Sequence, residues 1–175
     1  MKERIFITEW KNSIRVYFPN AHVFKIPDQP MFSGVESRFT LAKPYDLFAL
    51  IKGKFFAFEC KLMRTLTAFP FDRVAEHQLE SLWEVKRAGG FAYIVINYRC
   101  DVVPEKTMRK FSLENKRYMK VFLFDIDRFD KLSTGVSAAS LSFEAVLAHG
   151  KIFNRGSLGR DKGGWDVSKL SDVIS

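Results

Sequence analysis

Two strongly apolar runs, Tyr45–Ile51 and Phe55–Lys61, are separated by only three residues, Lys52, Gly53 and Lys54. So short a spacer between strand-like segments leaves room for an antiparallel hairpin and little else. With Lys52-Gly53 as a two-residue turn, Ile51 opposes Lys54, and the same register carried to the far end sets Asp46 opposite Glu59. Lys-Gly is a mediocre turn pair, and a longer loop would shift this register. Side chains alternate along a strand, so Glu59 and Lys61 share one face and Cys60 takes the other. Charged groups at the end of apolar strands are costly unless paired or bound to a metal. Cross-strand Cβ atoms lie about 5 Å apart, close enough for both carboxylates to reach one ion. Two oxygen ligands with space for waters suit Mg²⁺, or Mn²⁺, and not a soft metal. A lysine beside such an ion can orient water and neutralise charge on a phosphorus centre, which is equipment for phosphodiester hydrolysis. The plainer alternative is a hairpin whose charged residues simply emerge into solvent.

Around the hairpin the chain alternates between helical and strand-like patterns. Ile7, Trp10, Ile14 and Phe18 recur at helical spacing and predict a helix over Glu3–Phe18, closed by Pro19, although Ile5–Thr8 is rich in β-formers. His22–Ile26 alternates as a strand, and Pro27 and Pro30 open an irregular segment to Lys43. Asp72 is the expected N-cap of a helix to about Ala88, with Leu79, Leu82, Trp83 and Lys86 on one face, ended by Gly89 and Gly90. Phe91–Tyr98 is almost wholly apolar, as in a strand buried on both faces. A polar, basic stretch, Arg99–Tyr118, precedes a further strand at Lys120–Asp125 and short helices over Ile126–Leu132 and Leu141–His149. The expectation is an α/β domain with a mixed central sheet flanked by helices, over residues 1–153, followed by a basic, mobile arm over 154–175.

The 175 residues suffice for one domain, and 47% hydrophobic content with 18 Phe can fill its core. A net charge of +8 favours polyanionic partners. Two cysteines, Cys60 and Cys100, provide no disulfide framework, and the three histidines have no zinc spacing with them. The N-terminus does not read as a secretory signal, and no apolar run reaches the ~18 residues needed to span a bilayer. A cytoplasmic protein with no membrane partner is expected.

"PYD", twelve residues and "ECK" resemble the signature of the PD-(D/E)xK nucleases, on Asp46, Glu59 and Lys61. The longer run from Pro44 to Ile96 resembles the RecU-type Holliday junction resolvases over some fifty residues: the "KGK" turn, "FECK", a Thr-containing loop, "FP", "HQ" early in a helix and "GG" before an apolar strand. The resemblance implies a restriction-endonuclease-like core and a magnesium-dependent, structure-selective endonuclease. Such an enzyme cuts branched DNA in recombination or replication, in a bacterial or phage setting. It implies Asp46 and Glu59 as metal-binding acids, Lys61 as the catalytic lysine and Gln78 as the glutamine of the facing helix. The family also uses a glutamate from its first helix, and Glu9, deeper in the apolar pattern than Glu3, is the choice here. The 27–43 segment stands where the family carries a stalk and is short, and 99–118 has no match in the family.

Candidate nucleic-acid contacts are the hydroxyls of Thr65 and Thr67, and the basic residues Arg109, Lys110, Lys116 and Arg117 with Arg155 and Arg160. Two other readings stand beside the resolvase: a restriction- or repair-type nuclease on other DNA, and a non-catalytic DNA-binding protein of the same fold. Paired nicks across a four-way junction call for a C2 homodimer. Trp10, Phe18, Phe32, Phe39 and Trp165, outside the central strands, are candidates for its interface.

Overall fold

The computed structural model describes residues 3–28, 42–135, 139–157 and 163–173. The expected helix is α1, Glu3–Tyr17: Phe6, Ile7, Trp10 and Ile14 all bury on one side. That apolar stripe overrides the β-forming character of Ile5–Thr8. β1 (His22–Lys25) pairs with β2 (Leu47–Ile51), which turns through Lys52 and Gly53 into β3 (Lys54–Met63). Both turn residues have positive φ, 49° and 77°, the geometry a two-residue hairpin requires. Gly53 tolerates it freely, and Lys52 carries the strain.

After β3 come β4 (Phe69–Pro70), a 3-10 turn over Phe71–Arg73, α2 (Glu76–Arg87) and β5 (Phe91–Cys100). Then follow α3 (Glu105–Lys110), β6 (Tyr118–Asp125), α4 (Ile126–Thr134), β7 (Ser140–Leu141), α5 (Phe143–His149), β8 (Lys151–Phe153), β9 (Arg155–Ser157), β10 (Gly163–Trp165) and a 3-10 helix over Ser168–Val173. The main sheet has the order β1-β2-β3-β5-β6-β8. Only β3 and β5 run parallel, joined by a crossover that carries α2. The fold is therefore the expected mixed α/β sheet between helices.

Each sheet face builds one half of the core. Phe56, Phe58, Cys60, Tyr93 and Val95 face α1 and the C-terminal residues Trp165, Val167 and Leu170. Ala57, Ile94, Ile96 and Phe122 face the layer of α2, α4 and α5. Among the described residues no helix is long and apolar enough to cross a membrane.

Three boundaries differ from expectation. Asp72 does not cap α2: Phe69–Pro70 pairs with β7, Phe71–Arg73 forms the 3-10 turn, and Ala75 takes the N-cap position. β5 runs on through Arg99 and Cys100, so the basic stretch begins later and contains α3. The described part of the C-terminal stretch, expected as an arm, is packed. Trp165, Val167 and Leu170 are fully buried, and the Trp165 amide donates to Ser13 Oγ of α1 at 2.9 Å. Burial of Trp165 holds this piece against the domain. It also removes Trp165, with the fully buried Trp10, from any interface, while Phe18 packs partly buried against the same core. Phe32, Phe39, Arg160 and most of the 27–43 segment lie outside the described residues.

Candidate active site

The β2–β3 register holds from Ile51 opposite Lys54 to Leu47 opposite Phe58. One step further it changes: the Asp46 amide donates to Phe58 O at 3.1 Å, so Asp46 and Leu47 both address Phe58, a bulge-like step. Asp46 is thereby turned in toward β3, and its Oδ2 accepts from the Cys60 amide at 2.9 Å. Glu59 and Lys61 project from the same face of β3, and Lys61 Nζ lies 2.6 Å from Glu59 Oε1. Gln78 enters from the first turn of α2. Its Nε2 donates to Glu59 Oε1 at 2.8 Å, and its Oε1 accepts from Lys61 Nζ at 3.2 Å and from the Ala75 amide at 3.1 Å. Ala75 offers no capping side chain, so Gln78 also satisfies a free helix-end donor.

These groups are held almost out of solvent: Asp46 is 6%, Glu59 1% and Lys61 8% exposed. Burial, reinforced by the Asp46 carboxylate, pushes Glu59 up to about 7 against the opposing pull of Lys61 and Lys43. Glu59 Oε2 is buried and has no hydrogen-bond partner among the described residues. A buried carboxylate oxygen left unpaired costs free energy that a hard cation would recover. Among the described residues no three acidic, His or Cys side chains converge, and the carboxylate whose charge acts on Glu59 is that of Asp46. Cys60 is fully buried, and burial first, then the nearby carboxylates, raises its thiol well above the usual range. That suits a small core residue and not a nucleophile.

The structure brings Asp46, Glu59, Lys61 and Gln78 together and does not bring Glu9 to them. Glu9 Oε2 lies 2.5 Å from Arg99 Nη2 and 3.3 Å from Arg155 Nη1, and both guanidiniums also lie over the Trp165 ring. Glu9 thus ties α1 to β5 and to the C-terminal hairpin. Glu3, the first-helix acid set aside in the sequence, accepts instead from the Leu62 amide at 2.9 Å, one residue beyond Lys61. Sequence reasoning also missed Lys43. Its Nζ lies 2.5 Å from Asp46 Oδ1 and 2.9 Å from Asp28 Oδ1. The available signal was a lysine three residues before Asp46, with Pro44 between them holding the chain extended.

The candidate nucleic-acid residues are spread over several elements. Thr65 and Thr67 are exposed after β3, with their hydroxyls 3.0 Å apart. Arg109 and Lys110 end α3; Arg109 is 3.9 Å from Glu105, and Lys110 pairs with Glu144 of α5. Lys116 and Arg117 are exposed before β6, where Arg117 lies 3.3 Å from Asp101. His77, next to Gln78, is exposed.

The family profile described as "RecU: Recombination protein U" matches residues 20–142. Holliday junction resolvase RecU of Bacillus cereus (strain AH820) is 26% identical over 121 residues, covering 69% of this chain and 54% of the relative. The protein of the same name from Bacillus pumilus (strain SAFR-032) is 29% identical over 62 residues, or 35% of this chain and 30% of that one. The chain thus spans about half the length of the first of these relatives. Among solved structures, Hjc of Archaeoglobus fulgidus, a Holliday junction resolvase, aligns over 82% of this chain and 93% of its own with a TM-score of 0.44 at 14% identity.

Proposed function

The chain belongs to the RecU family of recombination proteins, and on that footing we propose that it is a divalent-metal-dependent endonuclease that cuts branched DNA, with four-way junctions as its substrate. One observation carries the reading: a buried Glu59 whose Oε1 is engaged by Lys61 and Gln78 while its Oε2 has no partner among the described residues, beside Asp46. An ionisable group kept in this state suits a site awaiting a cation and an anionic substrate better than a folding role.

Asp46 and Glu59 would hold Mg²⁺, or Mn²⁺; such an ion, when bound, supplies polarisation of the phosphodiester and lowers the pKa of water. The remaining work falls to the chain's own groups. Lys61 presents its ammonium where negative charge grows on the phosphate oxygens. Gln78 holds the Lys61 ammonium and the Glu59 carboxylate in a fixed relation and loses no rotamer freedom when substrate arrives. Hydrolysis forms a bond from a water oxygen to phosphorus and breaks one phosphorus–oxygen bond of the backbone. Junction resolution needs two such cuts on strands related by a two-fold axis, which supports a C2 dimer as the working unit.

The test is a substrate panel. Four-way junctions, flaps, linear duplex and single strands are each offered with Mg²⁺ and with EDTA. Symmetric nicks in the junction alone, absent in EDTA, are the expected result. Cutting of linear duplex at an equal rate would point to a restriction- or repair-type nuclease, and no cutting of any substrate would leave a DNA-binding relative.

A further inference from the structure

The Asp46 carboxylate already has a cation on it. Lys43 Nζ sits between Asp46 Oδ1 and Asp28 Oδ1, its side chain 17% exposed, while Asp28 is 66% exposed at the outer end of this short relay. The Lys43 ammonium is thus paired with two carboxylates at once, one buried and one exposed. Asp46 Oδ2 is meanwhile fixed by the Cys60 amide. Each Asp46 oxygen therefore already has one donor on it, and a divalent ion reaching Oδ1 comes directly against the Lys43 ammonium. Two cations cannot share one buried carboxylate oxygen without strong repulsion.

We propose that Lys43 is a positioning residue that stands in for the metal: it neutralises Asp46 while the ion is away and yields Asp46 Oδ1 when the ion binds, keeping Asp28 as its counterion. The inference rests on the proposed metal site at Asp46 and Glu59. Lys43 needs no new partner for the exchange, because its ammonium already bonds Asp28. The device lets the protein fold with two adjacent buried acids, which would otherwise repel each other. It does so at the expense of metal affinity, since each binding event must displace an ion pair.

The effects of two substitutions have opposite signs. Lys43→Met removes the competitor, so calorimetric titration of the full chain with Mg²⁺ at pH 8 should give a Kd lower by roughly fivefold, the scale of one half-buried ion pair. Asp28→Asn removes the place to which Lys43 retreats, so it should raise Kd. In the double variant Asp28→Asn should have little further effect, because Asp28 acts through Lys43. Lys43→Arg, which keeps a cation there, should stay near the wild-type value. If Lys43→Met does not fold, a weaker Kd in Asp28→Asn together with an unchanged one in Lys43→Arg carries the same expectation. An unchanged or higher Kd in folded Lys43→Met, or a full Asp28→Asn effect in the double variant, overturns the proposal. Failure of the metal site itself looks different: wild type gives no Mg²⁺ heat, or Asp46→Asn and Glu59→Gln keep it, and the stand-in role falls with it.

Discussion

At the residue scale, the unusual group is Glu59. Its folded-state value is pushed up to about 7 from an ordinary 4.5, so the folded protein takes up its proton more readily than the unfolded chain does. The stabilising contribution is then complete below about pH 4.5 and is lost as pH rises through 7. Other acids here, such as Asp28 and Asp166, are lowered and act in the opposite sense, so the contribution is read as the difference between wild type and Glu59→Gln. That difference in melting temperature should move against wild type between pH 5 and pH 8. Mg²⁺ needs the deprotonated carboxylate. It should therefore raise the wild-type melting temperature at pH 8, do little at pH 5, and have no effect in Glu59→Gln; an equal Mg²⁺ shift at both pH values would count against metal binding by Glu59. Asp46→Asn and Glu59→Gln should each reduce junction cleavage by at least about 10³-fold. Gel-shift affinity for the junction should hold or tighten, because negative charge near phosphate is gone. Wild-type cleavage in either variant would end the reading of these acids as metal ligands.

The two glutamates of α1 have different jobs at the scale of elements. Glu9 is the shared counterion of Arg99, whose side chain is 5% exposed, and of Arg155 on β9. Glu9→Gln leaves a buried guanidinium without its carboxylate, and a loss of about 3 kcal/mol is expected in urea unfolding. Glu3 meets β3 at the Leu62 amide, next to Lys61. Glu3→Gln should therefore affect cleavage more than Glu9→Gln when both are assayed well below their melting temperatures. The reverse ranking, with Glu9→Gln stable and inactive, would return Glu9 to the catalytic set. Of the elements that Glu9 ties together, β5 lies within residues 20–142, the span matched to the family, while α1 and the C-terminal hairpin lie outside it. The hairpin closes over the α1 side of the core through Trp165, which meets Phe6 edge-on at 6.2 Å.

For the whole molecule, a net charge of +8 favours a polyanionic partner, as the proposed DNA substrate would be, while the acids sit recessed at one end of the β2–β3 pair. The described residues of one chain hold one such cluster, and paired nicks need two in matching symmetry. Light scattering at micromolar concentration should give a mass twice the 20.3 kDa of the chain, with both junction strands cut within the lifetime of one complex. A monomeric mass with single uncoupled nicks would leave a simpler nuclease. The interface cannot use Trp10 or Trp165, which are wholly buried. The large apolar side chains that do reach solvent include Phe24 at 45% and Leu50 at 43% exposure, on the paired strands β1 and β2.

What the sequence determined by itself rested on short-range pattern. Strand alternation set Glu59 and Lys61 on one face, the two-residue turn set the hairpin register, and helical spacing set the buried stripe of α1. Position Gln78 was singled out through its motif, and its side chain bonds both Glu59 and Lys61. What only the tertiary structure decided were contacts between segments far apart in the chain. No local pattern states that Glu9 will find Arg155, 146 residues away, or that Trp165 will bury against Phe6 and so hold the described part of the C-terminal stretch on the domain. The bulge-like step at Asp46 and the ion pair from Lys43 lie closer in sequence, yet they too depended on the third strand. An acid is drawn out of register, and a lysine drawn toward it, by the shape and field of a neighbour that a one-dimensional pattern does not contain.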